Sequence, residues 1–353
     1  MPDARTLAPD EIRRLRAEHP EMRERDFARI HRISEAELAA AFVGAGVVRL
    51  RPDVEAFLEG APALGEVMAL TRNESAVHEK IGPYENAKFN PHAAIVLGDQ
   101  IDLRIFPGKW ASAFAVEKTE ASGEIKRSLQ FFDAAGDAVH KVHLRPASQL
   151  SAYAALVERL RADEQSQTQA VVAIDDSEVR ADAPVGTPAE LRAAWDKLTD
   201  THQFFPMLKK LNLSRHQAVT TIDGDYAWPL DLGATQGMLE GAAGTGLPIM
   251  AFVGNRGCIQ IHAGPIETVK PMGPWLNIMD ESFHMHLRLA HITEVWAVRK
   301  PTADGHVTSL EAFGADNRLI IQFFGQREEG TDERAAWRGL IEALPRLDRS
   351  NAA

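Results

Sequence analysis

The strongest constraint on the fold of this chain is that its sequence repeats after about 180 residues. Residues 132–137 (FDAAGD) precede an apolar run, and residues 313–318 (FGADNR) do the same 181 positions later. Residues 82–86 (GPYEN) resemble residues 264–268 (GPIET), 182 positions later. Turn residues that recur in the same order at one spacing indicate two copies of one folding unit.

The starts of the predicted helices repeat as well. Ser34 and Ser214 are each followed three residues later by Glu or Gln, which is the pattern of a capping box. Residues 187–190 (TPAE) combine a capping Thr, a Pro in the first helical position and a capping Glu, and residues 8–11 (APDE) resemble them 179 positions earlier. Each half of the chain is therefore predicted to open with helices.

Apolar runs with an alternating pattern follow these helices, separated by Gly, Pro and Asn, as is typical of strands in an antiparallel sheet. The predicted strand regions are 94–106, 110–117, 129–144, 248–261, 283–289 and 318–324. A predicted helix at 152–162 leads into a polar stretch rich in Gln, Ser and Asp, which separates the halves. We expect an α+β protein with a first repeat at 1–165, a linker at 166–183 and a second repeat at 184–353.

The length and charge of the chain limit the functions that need to be considered. Its 353 residues are enough for two globular units. Asp and Glu exceed Lys and Arg by 11, so attraction to nucleic acid or to an anionic membrane surface is not expected to drive its function. The start of the chain lacks the apolar segment of a secretion signal, and no apolar run is long enough to span a membrane. We therefore expect a cytoplasmic protein without a membrane span.

Histidine and carboxylate are the candidate metal ligands, because cysteine chemistry is excluded. Cys258 is the only cysteine, so the chain cannot form an internal disulfide, a Cys-rich zinc module, a multi-thiolate iron–sulfur cluster or a C-x-x-C-H haem attachment site. His284, His286 and Arg288 share one face of a predicted strand, and such a histidine pair could chelate zinc or iron. The same alternation is also typical of the wet side of a half-buried strand.

Another predicted strand has an unusual polar face. Period-two alternation over residues 100–106 places Asp102, Arg104 and Phe106 on one side and three aliphatic residues on the other. A guanidinium beside an aromatic ring favours a flat or anionic ligand, so this face could line a cavity. Exposure of the same face to solvent is the alternative.

His202 lies at a predicted helix start, among apolar side chains at 204–208. Its counterpart in the first half, near Met22, has no histidine, so the two halves are not equivalent at this place. From the residues alone, this imidazole is either a capping or core side chain with satisfied nitrogens or a side chain that binds a ligand.

Four short segments together resemble the HemS/HmuS/ChuS/PhuS family of hemin-degrading and haem-trafficking proteins. They are 102–107 (DLRIFP), 201–205 (THQFF), 298–302 (VRKPT) and 322–327 (QFFGQR). Each segment is short, but they are spread over both halves and their combination is specific. The resemblance implies two homologous tandem repeats, each with N-terminal helices packed on a large antiparallel β-sheet, and one haem in a cleft built mainly from the second repeat.

The resemblance also implies roles for individual residues. His202 falls at the position of the proximal haem-iron ligand. Arg104 falls at the position of an arginine over the opposite haem face, where it could hydrogen-bond water or dioxygen on the iron, and Phe106 adjoins it as a ring-packing wall. The other implied pocket residues are cations for the haem propionates or the pocket mouth (Arg215, Lys300 and Arg327), an apolar wall (Phe252) and a polar contact (Gln322).

The expected function is haem binding in bacterial haem uptake and iron acquisition, with haem b as the ligand. In one hypothesis the protein degrades haem with an external electron donor, and Arg104 is catalytic. In the alternative it is a carrier that receives haem, with the cytoplasmic face of an importer as a candidate partner, and delivers it to a separate haem oxygenase. A more distant alternative is a metal-dependent hydrolase that uses His284 and His286.

Overall fold

The computed structural model describes residues 7–90, 92–175, 177–222, 224–327 and 332–347. The chain divides into two compact units, and each unit takes a short segment from the other half of the sequence. Unit 1 comprises Met1–Arg72, Glu79–Ile174 and Gly254–Gln260. Unit 2 comprises Asn73–His78, Asp175–Val253 and Ile261–Ala353.

The first half of the sequence begins with three helices and continues mainly as antiparallel strands. Its elements are α1 (Pro9–Glu18), α2 (Glu24–His31), α3 (Glu35–Ala41), β1 (Val47–Leu50), α4 (Val54–Gly60), β2 (Val67–Arg72), β3 (Ala76–Gly82), β4 (Ala87–Phe89), β5 (Ala94–Leu97), β6 (Asp102–Ile105), β7 (Ser112–Thr119), β8 (Ile125–Phe132), β9 (Ala138–Leu144) and α5 (Leu150–Leu160). The strands are ordered β1-β7-β8-β9-β2-β3, with β4-β5-β6 as a further antiparallel group.

The second half repeats this order of elements. It contains α6 (Pro188–Trp195), α7 (Phe204–Leu211), α8 (Arg215–Thr221), β10 (Ala227–Leu230), α9 (Ala234–Thr245), β11 (Ile249–Gly254), β12 (Cys258–Gly264), β13 (Val269–Met272), β14 (Trp275–Met279), β15 (Phe283–Leu287), β16 (Ile292–Thr302), β17 (Gly305–Gly314), β18 (Leu319–Gly325) and α10 (Ala335–Glu342). The strands are ordered β10-β16-β17-β18-β11-β12, with β13-β14-β15 as the further group. The prediction of two α+β repeats with antiparallel sheets is confirmed. None of the described helices is long and apolar enough to cross a membrane.

The local signals that predicted the repeats have a structural cause. Ser34, Thr187 and Ser214 each form the predicted capping box, in which side chain and backbone satisfy each other's hydrogen bonds. Gly136 and Asn317, which occupy equivalent places in the repeated loop, both have positive φ angles, of 81° and 62°. Gly and Asn tolerate this left-handed conformation best, which explains why the loop sequence recurs. The predicted helix at 152–162 is present as α5, two residues earlier.

Helices cover both faces of the unit 2 strands, with a hydrophobic core on each side. On one face, α6 and α7 bury Trp195, Phe204 and Met207 against Trp296 and Phe313 of β16 and β17. On the other face, α9 and α10 contribute to a second core. In unit 1, α1, α2 and α3 contribute to the cores on one side, and α4 and α5 to another core. The prediction that N-terminal helices pack on each sheet is therefore confirmed.

A buried polar chain lies within the core of unit 1. The Tyr84 hydroxyl is 2.6 Å from His140 Nε2, and His140 Nδ1 is 2.9 Å from Thr71 Oγ1. The Thr71 hydroxyl donates to Cys258 Sγ at 3.5 Å. Burial raises the pKa of Tyr84, so its hydroxyl stays protonated and donates to Nε2, which leaves the proton of the neutral imidazole on Nδ1. Burial lowers the pKa of His140 to about 3 and raises that of Cys258 to about 12, so both groups are neutral at physiological pH.

We expect His140 to make the fold sensitive to acid. Above pH 6.5 the imidazole is neutral in the folded and unfolded states, whereas between pH 6.5 and 3 the unfolded chain takes up a proton that the folded chain does not. Lowering the pH from 8 to 5 should therefore reduce the free energy of unfolding by about 2 kcal/mol through this group alone. Urea unfolding of wild type and His140→Gln at both pH values measures this difference. His140→Gln should lose less unfolding free energy between pH 8 and 5 than wild type, and an equal loss in both proteins would contradict the assignment. His92→Gln, which alters an exposed histidine, is the control and should lose as much as wild type.

Candidate functional site

Unit 2 contains a group of polar side chains that share a buried carboxylate, which we call the Glu311 cluster (Arg215, Lys300, Ser309, Glu311 and Gln322). Arg215 is the first residue of α8, directly after the capping Ser214. Its guanidinium donates from Nε and Nη2 to the two carboxylate oxygens of Glu311, at 2.7 and 2.9 Å, and from Nη2 to Gln322 Oε1 at 2.9 Å. The two-pronged contact fixes the plane of the guanidinium.

The strand ladder holds the rest of the Glu311 cluster in place. Glu311 and Gln322 are directly paired across β17 and β18, so their side chains lie on the same face. Lys300 reaches the same carboxylate from β16, and its Nζ donates to Glu311 Oε1 at 2.9 Å and to Ser309 Oγ at 3.1 Å. Only 3% of the Lys300 side chain is exposed.

The Glu311 cluster carries more positive than negative charge. Burial alone would raise the pKa of Glu311, but Arg215 and Lys300 lower it well below its usual range, so the carboxylate is ionised. Burial lowers the pKa of Lys300 to about 8, and the positive charge of Arg215 adds to this effect. At neutral pH, the two cations of the cluster share its one carboxylate, and a second carboxylate, that of Glu178, accepts a hydrogen bond from the Arg215 backbone N–H at 2.9 Å.

Aromatic rings surround these cations. The Lys300 ammonium lies 4.7 Å from the ring centre of Phe204, and the Arg215 guanidinium lies 5.2 Å from it. Phe252 and Phe324 pack edge to face, with ring centres 5.2 Å apart, and Lys300 is 5.8 Å from the Phe324 ring. Both phenylalanines are half-buried. Such a surface suits a flat apolar ligand that carries negative charge.

His202 lies one turn before this surface, in a short 3-10 helix (Thr201–Gln203) that leads directly into α7. Its imidazole is 94% exposed. Asp200 caps the turn by accepting a hydrogen bond from the His202 backbone N–H at 2.7 Å, and its carboxylate lies 2.8 Å from His202 Nδ1. These hydrogen bonds lower the pKa of Asp200, and the charge of Arg327 adds to the effect.

The contact with Asp200 decides which nitrogen of His202 can bind a ligand. A carboxylate accepts the proton of Nδ1, so Nε2 carries the lone pair of the neutral ring. Asp200 was not identified from the sequence, although an Asp two residues before a His at a helix start is a local signal that could have revealed it. The exposure of His202 does not fit the alternative of a core histidine.

Arg104 and Phe106 lie in unit 1. The aliphatic residues of their strand are fully buried, as the alternation predicted, and Arg104 is about one third exposed. The guanidinium forms an ion pair with Asp102 and donates to the carbonyl of Leu103 at 3.1 Å. Burial raises the pKa of Asp102, against the opposing effect of Arg104. Phe106 is half-buried, and its backbone N–H donates to the carbonyl of Gly257 at 3.0 Å.

The histidine pair on β15 follows the expected alternation. His284 and His286 are half-buried, between fully buried neighbours. His286 Nδ1 lies within hydrogen-bond distance of Asn277 Oδ1. Within the described ranges, no group of three or more His, Cys, Asp or Glu side chains is placed to hold a metal ion. The hydrolase alternative therefore has no third ligand in the part of the chain that the structure describes.

Comparison with known proteins places the chain in a family. A model of the haemin-degrading HemS/ChuX domain matches it twice, at residues 32–160 and 212–344. The chain belongs to the HemS family. The two matches agree with the two repeats of the fold, and they confirm the resemblance seen in the sequence.

Relatives of this HemS-family chain match it over nearly its whole length. It is 42% identical to the hemin transport protein HmuS of Yersinia pestis over 334 residues, which cover 94% of this chain and 96% of HmuS. Holo-PhuS, a heme-binding protein from Pseudomonas aeruginosa, has a TM-score of 0.90 at 45% identity and covers 97% of this chain and 100% of its own. ChuS, an E. coli heme oxygenase, has a TM-score of 0.85 at 40% identity and covers 94% of this chain and 99% of its own.

The stability of the protein should depend on the shared carboxylate of the Glu311 cluster. Glu311→Gln keeps the side-chain shape but leaves Arg215 and Lys300 without a counter-charge, which should cost about 3–5 kcal/mol of unfolding free energy. Urea unfolding at pH 7 measures the loss. Glu311→Gln combined with Lys300→Met should recover part of it, because one of the uncompensated cations is then absent.

A matched control is Glu294→Gln, which alters a carboxylate with 39% side-chain exposure that is paired with His216. This change should cost about 1 kcal/mol or less. If Glu311→Gln proved no more destabilising than Glu294→Gln, the cluster would not be the ionised, mutually dependent group described above.

Proposed function

We propose that this protein binds haem and serves bacterial haem use as a source of iron, with His202 as the iron ligand. The family supports the ligand, since its relatives are described as a hemin transport protein, a heme-binding protein and a heme oxygenase. The observation that carries the assignment of His202 is its exposed imidazole, held through Nδ1 by Asp200. A neutral imidazole nitrogen is a strong ligand for haem iron.

A histidine that binds a metal usually donates its other ring N–H to an acceptor, and Asp200 provides this acceptor for His202. A hydrogen bond from Nδ1–H to a carboxylate fixes the tautomer, orients the ring and makes Nε2 more basic. Arg327 is close enough to Asp200 to lower the pKa of its carboxyl group. We include Arg327 among the cations that meet a haem propionate.

The Glu311 cluster fits the edge of a haem in both charge and shape. Haem joins a flat apolar ring to two carboxylates, and the cluster joins the Phe204 ring to two cations, Arg215 and Lys300. Arg215, whose side chain is 20% exposed, is the proposed propionate partner, while Phe252 and Gln322 line the wall. The buried Lys300 is proposed as a positioning residue, which acts by holding Glu311 and through it Arg215.

Two activities use the same haem-binding residues. Bound haem would supply an iron centre able to reduce dioxygen with electrons from an external donor. We propose that the protein degrades haem in the cytoplasm and that Arg104 is the catalytic residue, with Phe106 beside it, because the match to the family extends over both. The second candidate is a carrier that takes haem from an importer to a separate haem oxygenase, and it is favoured by the relative described as a hemin transport protein.

Titration with hemin tests the site directly. Wild type should give a saturable shift of the Soret band, and His202→Ala should lose it or need at least about a hundredfold more hemin, because the iron loses its protein ligand. The double variant His284→Ala/His286→Ala is the matched control, since it removes two half-buried histidines of the same unit, and it should bind as wild type does. An unshifted wild-type spectrum, or an unchanged affinity in His202→Ala, would refute the assignment.

Substitution of Asp200 tests the orienting hydrogen bond. Asp200→Asn keeps an acceptor for Nδ1 without the charge, and Asp200→Ala removes both. Hemin affinity should fall in the order wild type, Asn, Ala, with a total loss of about 10–100-fold. The reduction potential of the bound iron should rise in the same order, because a less basic imidazole donates less to the metal. If Asp200→Ala keeps both wild-type values, Asp200 has no such role.

The reaction of bound haem with a reductant in air distinguishes the enzyme hypothesis from the carrier hypothesis. After saturation with hemin, ascorbate is added under air with catalase present, and the visible spectrum is followed. Loss of the Soret band with release of carbon monoxide or a verdin-type product supports degradation, whereas a stable reduced spectrum supports the carrier. If the protein degrades haem, Arg104→Ala should bind hemin normally but bleach it at least about tenfold more slowly. Equal bleaching by both proteins would remove Arg104 from the reaction.

A further inference from the structure

Unit 1 has a cavity of about 250 Å³ beneath its N-terminal helices. Its lining comes from the segment of α1 that leads to α2, from α3 and from β7 and β8, and it is largely apolar. The apolar lining residues include Leu38, Ala39, Phe42, Val47 and Val116. No residue of this cavity belongs to the site proposed for haem.

The cavity occupies the place in the first repeat that the Glu311 cluster occupies in the second, as the ladder registers show. Gln130 pairs with Lys141 across β8 and β9, just as Glu311 pairs with Gln322 across β17 and β18. The edge strands agree with this, because Val47 pairs with Val116 and Ala227 pairs with Val298. Val116 and Val298 are therefore equivalent, and Lys118 and Lys300 each lie two residues after them. Glu35 and Arg215 are both the first residue after a capping serine.

The two equivalent places have different chemistry. Glu35 stands where the second repeat has Arg215, and Gln130 where it has Glu311. Met22 is the counterpart of His202, so the first repeat offers no imidazole at this position for iron. The cavity is therefore not a second copy of the haem site.

The charges around the cavity indicate the sign of its ligand. Glu35 is buried and neutralised by Lys141 at 2.9 Å and Arg25 at 3.4 Å. The charged lining residues that are paired with an opposite charge are Arg13 with Asp10, Glu24 and Glu35 with Lys141, Glu117 with Arg127 and Lys118 with Glu120. Arg16 differs from them, because its guanidinium donates to the backbone carbonyls of His19 and Pro20 and, among the described residues, has no carboxylate within ion-pair distance.

We infer that this cavity binds a small amphipathic carboxylate, of the class of a medium-chain fatty acid. The apolar chain would lie against α3 and β7, and the carboxylate would meet the Arg16 guanidinium at the α1 end. A charge-assisted hydrogen bond to an otherwise uncompensated guanidinium supplies orientation, and the burial of methylene groups supplies most of the affinity. This site is independent of the haem proposal, since it shares no residue with it.

The test is a titration of the full-length protein with octanoate labelled with ¹³C at the carboxyl group, followed by NMR. Wild type should bind one octanoate saturably. Arg16→Gln should weaken binding about tenfold, because the carboxylate loses its counter-charge. Ala39→Phe should abolish binding by filling the cavity, with thermal unfolding used to verify that the variant is folded. Arg14→Gln is the matched control on the same helix, since its guanidinium is exposed and bonded to Glu18, and it should bind as wild type does.

Experiments with hemin show whether octanoate binds at a site separate from the proposed haem site. Octanoate binding should persist in hemin-saturated protein, and Arg16→Gln and Ala39→Phe should both retain the wild-type hemin titration. No saturable binding by wild type would overturn the inference. Equal octanoate affinity in wild type and Arg16→Gln, or displacement of octanoate by one equivalent of hemin, would also overturn it, because the fatty acid would then bind elsewhere.

Discussion

The antiparallel pairing of β16, β17 and β18 is the constraint on which the site in unit 2 depends. The register puts Lys300, Glu311 and Gln322 on adjacent strands with their side chains on one face. A shift of β17 by one residue would turn Glu311 into the opposite core, away from Lys300 and Arg215, and leave a buried charge without a partner. The apolar alternation that stabilises the two cores therefore also fixes the polar cluster between the sheet and its helices.

The same scaffold is used twice with the charges exchanged. In unit 2 the helix start supplies the cation, Arg215, and the sheet supplies the carboxylate of Glu311. In unit 1 the helix start supplies the carboxylate, Glu35, and the sheet supplies the cation, Lys141. Both arrangements tie the third helix of the repeat to its sheet through a buried ion pair. The sheet partner stands on a different strand in each repeat, because Lys141 is equivalent to Gln322 and Glu311 is equivalent to Gln130.

Most of the fold could be predicted from the sequence because its signals are local. A capping box such as that at Ser214 lies within four residues, and a strand such as β6 reveals its buried face by period two. The repeat was visible because turn conformations such as those at Gly136 and Asn317 restrict the residue type.

The chemistry of the site was only partly predictable, because much of it comes from residues distant in sequence. Glu311 was not identified, since a glutamate within an apolar strand gives no sign that Arg215, 96 positions away, will neutralise it. The resemblance to a family pointed to Arg215, Gln322 and His202 as positions, and only the structure supplied the partners that give them a role. Asp200 was not identified either, but it could have been, because it lies two residues from His202 and its capping contact is local.

The placement of Arg215 supports the proposal that the Glu311 cluster serves binding more than stability. A helix N-terminus carries partial positive charge, so a glutamate there, as at position 35, is favourable and an arginine is not. Unit 2 has this unfavourable placement and also buries Glu311 and Lys300, although replacing buried ion pairs by apolar side chains of the same volume is often neutral or stabilising. An unfavourable arginine at a helix start that is present in one repeat and absent from the other is expected at a functional site. The Arg215 guanidinium lies beside the Phe204 ring, and the first repeat has a glutamate at the position of Arg215 and a methionine at the position of His202.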